Sequence, residues 1–206
     1  VVAHLGMAEV RSGVDDSILQ SVPAGWPFMV GDIDLDGDGR NDLLCCTWAI
    51  QGSAYGRVRA YDHAGNLMYE LQGDYSATAN PALAFNSIAG LNDVDGDGCD
   101  DFALGCFEPS QLGVVVVVSG KNGKFLRFCY GELPLDNIGY ELDACGDIDG
   151  DGCIDFVATN GATVWVPRAV ARVWSSRTGQ VLRDWVYPHA FGTHVASRGV
   201  DLDGDG

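Results

Sequence analysis

The chain has 206 residues, enough for one ordinary domain or two small ones, and 47% of them are hydrophobic, so it buries a core. Its net charge of −17 excludes the basic stripe with which nucleic-acid-binding domains hold a phosphate backbone, and argues against docking on an anionic membrane. The longest apolar run, Val114 to Val118, is far too short to span a bilayer.

The chain begins at Val1 with no Met, basic region or apolar leader, as expected of a mature secreted chain or an excised piece. With 28 glycines against 12 Lys plus Arg, and with valine runs, the composition predicts short strands and tight turns rather than helices. The seven cysteines contain no CxxC spacing, which removes structural zinc and c-type haem. With so acidic a surface they favour an exported protein with some disulfides. Pairings of Cys145 with Cys153 and of Cys106 with Cys129 are both conceivable, against the alternative of buried free thiols.

In chain order, a polar turn between apolar runs predicts a hairpin over residues 8–19. A short strand (28–30) follows, then the acidic phrase Asp34-Leu-Asp36-Gly-Asp38-Gly-Arg40-Asn-Asp42, a second strand (43–46) and a hairpin (58–68). The order then recurs. A strand at 87–89 leads to Asp93, Asp95, Asp97, Cys99 and Asp101, then to a strand at 102–104 and a hairpin at 116–126. A strand at 141–145 leads to Asp147, Asp149, Asp151, Cys153 and Asp155, then to a strand at 156–159 and a hairpin at 171–182. A fourth acidic phrase opens at Asp201, Asp203 and Asp205. The acidic phrases start 59, 54 and 54 residues apart, and from Gly39, Gly98 and Gly152 the hairpin glycines Gly65, Gly123 and Gly179 follow at 26, 25 and 27 residues. Two patterns locked in phase mark a repeat of four strands, the size of a propeller blade. The predicted fold is therefore all-β, with blades of four antiparallel strands, about 54 residues per repeat, and the acidic loop between the first two strands of each blade.

Carboxylates at positions 1, 3, 5 and 9 of a tight loop converge, which is repulsive unless a hard divalent cation joins them; oxygen donors suit calcium. The position-7 carbonyl (Arg40, Cys99 or Cys153) is a candidate ligand whatever its side chain, and Gly at position 6 permits the turn. An EF-hand would need Glu at position 12 and flanking helices, but position 12 is Cys45, Leu104 or Ala158 and the flanks read as strands. A solvated acidic turn accounts for one copy more easily than for three.

The stretch from Gly90 to Gly105 containing Asp93-Val-Asp-Gly-Asp-Gly, with the hairpin Val116-Val-Val-Ser-Gly-Lys-Asn-Gly123, resembles FG-GAP repeats, also called VCBS or integrin-α-like repeats. The Phe-Gly start is present at Phe191-Gly192 and degenerate at Phe85-Asn86 and Ile138-Gly139; the resemblance runs from about Ala8 to Gly206. It implies a β-propeller with calcium in each loop. The candidate ligands are Asp34, Asp36, Asp38, Arg40 and Asp42; Asp93, Asp95, Asp97, Cys99 and Asp101; Asp147, Asp149, Asp151, Cys153 and Asp155; and Asp201, Asp203 and Asp205 of the truncated fourth loop. Family propellers commonly have seven blades. The expected division is a hairpin of a preceding blade (1–22), blades at 23–80, 81–134 and 135–188, and the start of another (189–206), as a piece of a longer propeller.

The implied role is adhesive or structural, as a calcium-stabilised extracellular or cell-surface module. Its partners would be a protein or glycan at a propeller face, self-association is a further expectation, and neither nucleic acid nor membrane insertion is expected. The alternative is a carbohydrate-binding accessory domain of a larger secreted enzyme. Catalysis by this chain is not expected: His4, His63, His189 and His194 lie in no nucleophile motif, and Gly52-Ser-Ala-Tyr-Gly56 is not GxSxG. Trp48, Trp165 and the tyrosines Tyr55 and Tyr75 are candidates for a binding platform, with Trp48 and Tyr55 the fairest. Trp174 and Trp185, inside strands, are expected to fill the packing between blades.

Overall fold

The computed structural model describes residues 2–4, 7–23, 27–47, 56–73, 84–107, 112–134, 136–160 and 168–188. All regular structure among them is β: β1 (Val2–His4), β2 (Met7–Arg11), β3 (Ile18–Pro23), β4 (Pro27–Ile33), β5 (Asp42–Thr47), β6 (Arg57–Tyr61), β7 (Leu67–Gln72), β8 (Ala84–Gly90), β9 (Phe102–Phe107), β10 (Val114–Val118), β11 (Phe125–Tyr130), β12 (Glu141–Gly146), β13 (Asp155–Thr159), β14 (Ala169–Trp174) and β15 (Val181–Tyr187). Three sheets are four-stranded antiparallel meanders in chain order, β4 to β7, β8 to β11 and β12 to β15; the first sheet has three strands, β1 to β3. Each of the three complete acidic phrases joins the first two strands of its sheet, as the spacing predicts. β1 is a strand that the sequence reading did not anticipate.

The five valines of β10 explain how the sheets stack. All are fully buried, so both faces of this sheet are covered. Alternate residues of a strand face opposite ways. Val114, Val116 and Val118 therefore join one core with Ile33, Leu44, Val58 and Ala60 of the preceding sheet. Val115 and Val117 join another with Leu142, Phe156, Val170 and Trp174 of the following sheet. A third core joins Ala8 and Val22 to Leu43, Cys45 and Tyr61. Every interface between successive sheets is thus a separate hydrophobic core, and an outer strand such as β15 is largely exposed. Of the first strands, β8 touches both β4 and β12 along the inner edge.

The hairpins repeat in detail. In all four, the register slips one residue before the turn, at Val10/Arg11, Ala60/Tyr61, Val117/Val118 and Val173/Trp174. Such a bulge needs a left-handed residue in the turn. Gly65, Gly123 and Gly179 supply it with φ of 88°, 71° and 73°, and Asp16 takes the role in the first hairpin at 58°. From three outer strands a side chain reaches the next hairpin: Gln20 donates to the Asp62 carbonyl (3.2 Å), Tyr69 to Gly120 (2.6 Å) and Arg127 to Ser176 (3.2 Å).

Two expectations are corrected. All seven cysteines are free thiols. Cys106 pairs across β10 with Val114 and Cys129 with Val115, so the two point into different cores on opposite faces of one sheet and cannot bond. Trp174 does fill a core, stacked on Phe156 at 5.8 Å, but Trp185 stands on the outer strand at 44% exposure, where none of the described sheets covers β15.

Candidate metal centre

Each of the three complete loops is a hydrogen-bonded cage formed within nine residues. In the first, Asp34 accepts the Gly37 amide (2.8 Å) and the Asp38 amide (3.2 Å) on Oδ1, and the Gly39 amide (2.8 Å) on Oδ2. Asp93 and Asp147 repeat these bonds with their own loop amides. The chain can turn this sharply because glycines at positions 4 and 6 take positive φ, as at Gly37 (77°) and Gly39 (83°). Asp36 then accepts the Asp38 amide (3.0 Å), and Asp38 accepts the Arg40 amide (2.9 Å).

Position 9 closes the cage from the start of the second strand. Asp42, Asp101 and Asp155 are buried and accept the amide of position 2, from Leu35 (2.9 Å), Val94 (2.8 Å) and Ile148 (2.8 Å). The second oxygen of Asp101 accepts the Gly120 amide (3.0 Å), and that of Asp155 the Ser176 amide (3.1 Å), both from hairpin turns. In the first loop Asp42 Oδ1 is buried and accepts no hydrogen bond; the His63 amide eases its charge without closing a bond. Burial pushes the Asp101 carboxyl up to about 6, and raises Asp42 and Asp155 in the same direction. In each, the position-3 carboxylate adds repulsion.

The carboxylates of positions 1, 3 and 9 gather in every loop. Asp34, Asp36 and Asp42 each present an oxygen within 4.8 Å of the others, as do Asp93, Asp95 and Asp101, and Asp147, Asp149 and Asp155. An all-oxygen donor set around a buried, charge-penalised acid, with an unpartnered oxygen on Asp42 in the first loop, fits a hard divalent cation. The position-5 acids Asp38, Asp97 and Asp151 stand outside these groups and lie instead beside basic side chains of their own hairpins: Asp38 Oδ2 is 3.2 Å from His63, Asp97 Oδ2 4.0 Å from Lys121 and Asp151 Oδ2 3.7 Å from Arg177. The sequence carried a signal for this, since each base lies two residues before the hairpin glycine. The thiols of the position-7 residues pack toward the preceding loop: Cys153 Sγ lies 3.9 Å from the Asp93 carbonyl, and a Cβ added to Gly37 would meet Cys99 Sγ at 3.5 Å. Asp201, Asp203 and Asp205 lie outside the described residues, as do Trp48, Trp165, Tyr55, Tyr75, His189 and His194.

Successive loops are clamped together. The Asp100 amide donates to the Asp34 carbonyl (2.7 Å), and the Asp34 amide donates back to Asp100 Oδ2 (3.0 Å). Between the second and third loops, Asn92 Oδ1 accepts the Ile154 amide (2.7 Å) and its Nδ2 donates to the Gly152 carbonyl (2.8 Å). Beside these clamps, a cavity of about 410 Å³ opens among the first strands, with Asp32, Asp100 and Asp143 at its wall. Among the described residues the exposed aromatics are on outer strands: Phe128 stacks on Tyr130 at 6.2 Å and meets Phe125 edge-on at 5.8 Å, while Trp185 and Tyr187 stand on β15.

Known proteins resemble this arrangement. Integrin alpha-4 of Xenopus laevis is 34% identical over 134 residues, a match that takes in 59% of this chain and 13% of that protein. This chain therefore corresponds to a small part of the curated relative's length. The Dos1 propeller shares the fold with a TM-score of 0.51 at 11% identity, over 92% of this chain and 44% of that one. No protein-family model matches the chain.

Proposed function

Since the chain is built of integrin-like FG-GAP β-propeller repeats, we propose that it is a calcium-stabilised extracellular module with an adhesive or structural, protein-binding role. The observation that carries the reading is the threefold recurrence of one cage, with oxygens of positions 1, 3 and 9 gathered around a buried acid. The proposed ligands are these nine acids, joined by Asp38, Asp97 and Asp151 and by the carbonyls of Arg40, Cys99 and Cys153, with Asp201, Asp203 and Asp205 in the fourth loop. Calcium supplies the opposing charge that the cages lack. The chain's own residues fix the carboxylates through backbone amides, and the loop clamps carry that order from sheet to sheet.

The role follows from where the order is placed. The loops lie together beside the inner strands, so a filled row of cages would present a rigid surface to a protein partner. Nothing in this arrangement requires chemistry of the chain, and we read it as a non-catalytic module. Calorimetry with calcium and thermal melting with and without chelator test the reading: heat of binding and a melting point lowered by chelator are expected. No heat, together with an unchanged melting point, would refute it. The carbohydrate-binding alternative is favoured by one observation, the exposed Trp185 and Tyr187 on β15. Glycan-array binding that is lost in Trp185→Ala would support it, and an inert wild type would end it.

A further inference from the structure

The position-5 carboxylate is anchored on one oxygen in every described loop, and a basic side chain stands near the other; in the third loop that second oxygen, Asp151 Oδ2, is buried and accepts no hydrogen bond. One oxygen accepts the amide of position 7, from Arg40 (2.9 Å), Cys99 (3.1 Å) or Cys153 (2.9 Å). The other faces the base at the tip of the same sheet's hairpin, His63, Lys121 or Arg177. Lys121 is fixed over its loop by donating to the Asp97 carbonyl at 3.0 Å, and Arg177 by donating to Cys153 Sγ at 3.2 Å. His63 differs. Arg40 Nη1 lies 3.0 Å from His63 Nε2, and since a guanidinium only donates, that nitrogen accepts and Nδ1 carries the proton toward Asp38. Loops two and three thus hold a formal positive charge against the position-5 acid, whereas loop one holds an imidazole there, with Arg40 behind it.

We propose that the hairpin-tip base sets the cation affinity of its own loop, with Lys121 weakening loop two and Arg177 weakening loop three. The inference rests on the calcium reading. It adds that these bases act as positioning residues, by placing a positive charge 3.7–4.0 Å from one oxygen of the position-5 carboxylate, which draws that oxygen toward the hairpin and repels an incoming cation. A unit charge so close to a divalent ion, screened by water and salt, is worth about a 3- to 10-fold change in affinity.

The test uses backbone amide NMR on the whole chain during a calcium titration. Gly39, Gly98 and Gly152 donate to the position-1 carboxylates, so their resonances report the three loops separately. Lys121 and Arg177 have side chains 52% and 50% exposed, so their replacement leaves the cores intact. Lys121→Met is expected to lower the loop-two midpoint about 5-fold with the other loops unmoved, and Arg177→Met to do the same in loop three. Lys121→Arg, which keeps the charge, is expected to leave the midpoint in place. Unchanged or raised midpoints in both Met variants, with a wild type that binds, would overturn the proposal while leaving the calcium reading standing. A wild type whose three glycine amides ignore calcium overturns both.

Discussion

The sharpest consequence of the cages concerns the protein without metal. Asp101 is fully buried, and desolvation raises its carboxyl from 3.8 to about 6 against the opposing pull of the Gly120 and Val94 amides. The folded chain therefore binds a proton more readily than the unfolded chain, and stability falls as pH rises across that interval. The stabilisation is fully present below 3.8 and is lost as pH passes through about 6. The gap corresponds to about 3 kcal/mol, a sizeable share of a domain's whole stability. Asp42, Asp100 and Asp155 shift the same way, while the exposed Asp15 and Asp62, lowered by hydrogen bonds from Ser17 and Asn66, act oppositely below about pH 4. These shared contributions cancel when the wild type is compared with Asp101→Asn, which cannot ionise. In chelator, urea melts at a series of pH values should show the wild type losing about 3 kcal/mol relative to the variant between about pH 4 and pH 7. Saturating calcium should invert the order above about pH 6, because a cation favours the charged acid. A difference that stays flat in chelator, or that grows in favour of the wild type as pH rises, would refute the reasoning.

Removing the clamp between loops with Asn92→Ala should cost about 1–2 kcal/mol in chemical denaturation, because it strips partners from the Ile154 amide and the Gly152 carbonyl. Gly120→Ala should cost more than about 2 kcal/mol, since its Cβ would overlap the Asp100 carbonyl and press on Leu35 at 2.7 Å. Trp174→Ala, which empties a core, should lower stability by about 3–5 kcal/mol, whereas Trp185→Ala should change it by under about 1 kcal/mol, both read from thermal or urea melts. Burial pushes the Cys45, Cys46 and Cys129 thiols up to about 12, so iodoacetamide should label them at about pH 8 only as fast as the chain opens. Mass spectrometry would show faster labelling after chelation if the cages stabilise the fold.

The cages were legible in the sequence because they are local. Nearly all the hydrogen bonds that shape a loop join residues no more than seven apart, such as Asp34 to Gly39 and Leu35 to Asp42, so spacing alone specified the turn. The strands were legible as well, because the polar and glycine turns between them recur in phase. Tertiary structure decided what crosses between elements. It placed Lys121 over Asp97, 24 residues away, beside an acid that stands outside the gathered three. It sent Cys106 and Cys129 to opposite faces of one sheet, and buried Trp174 while leaving Trp185 in the open. The physical reason is the same in each case. A strand's sequence fixes which residues alternate, but only the stacking of sheets determines which face is covered and what stands across from it.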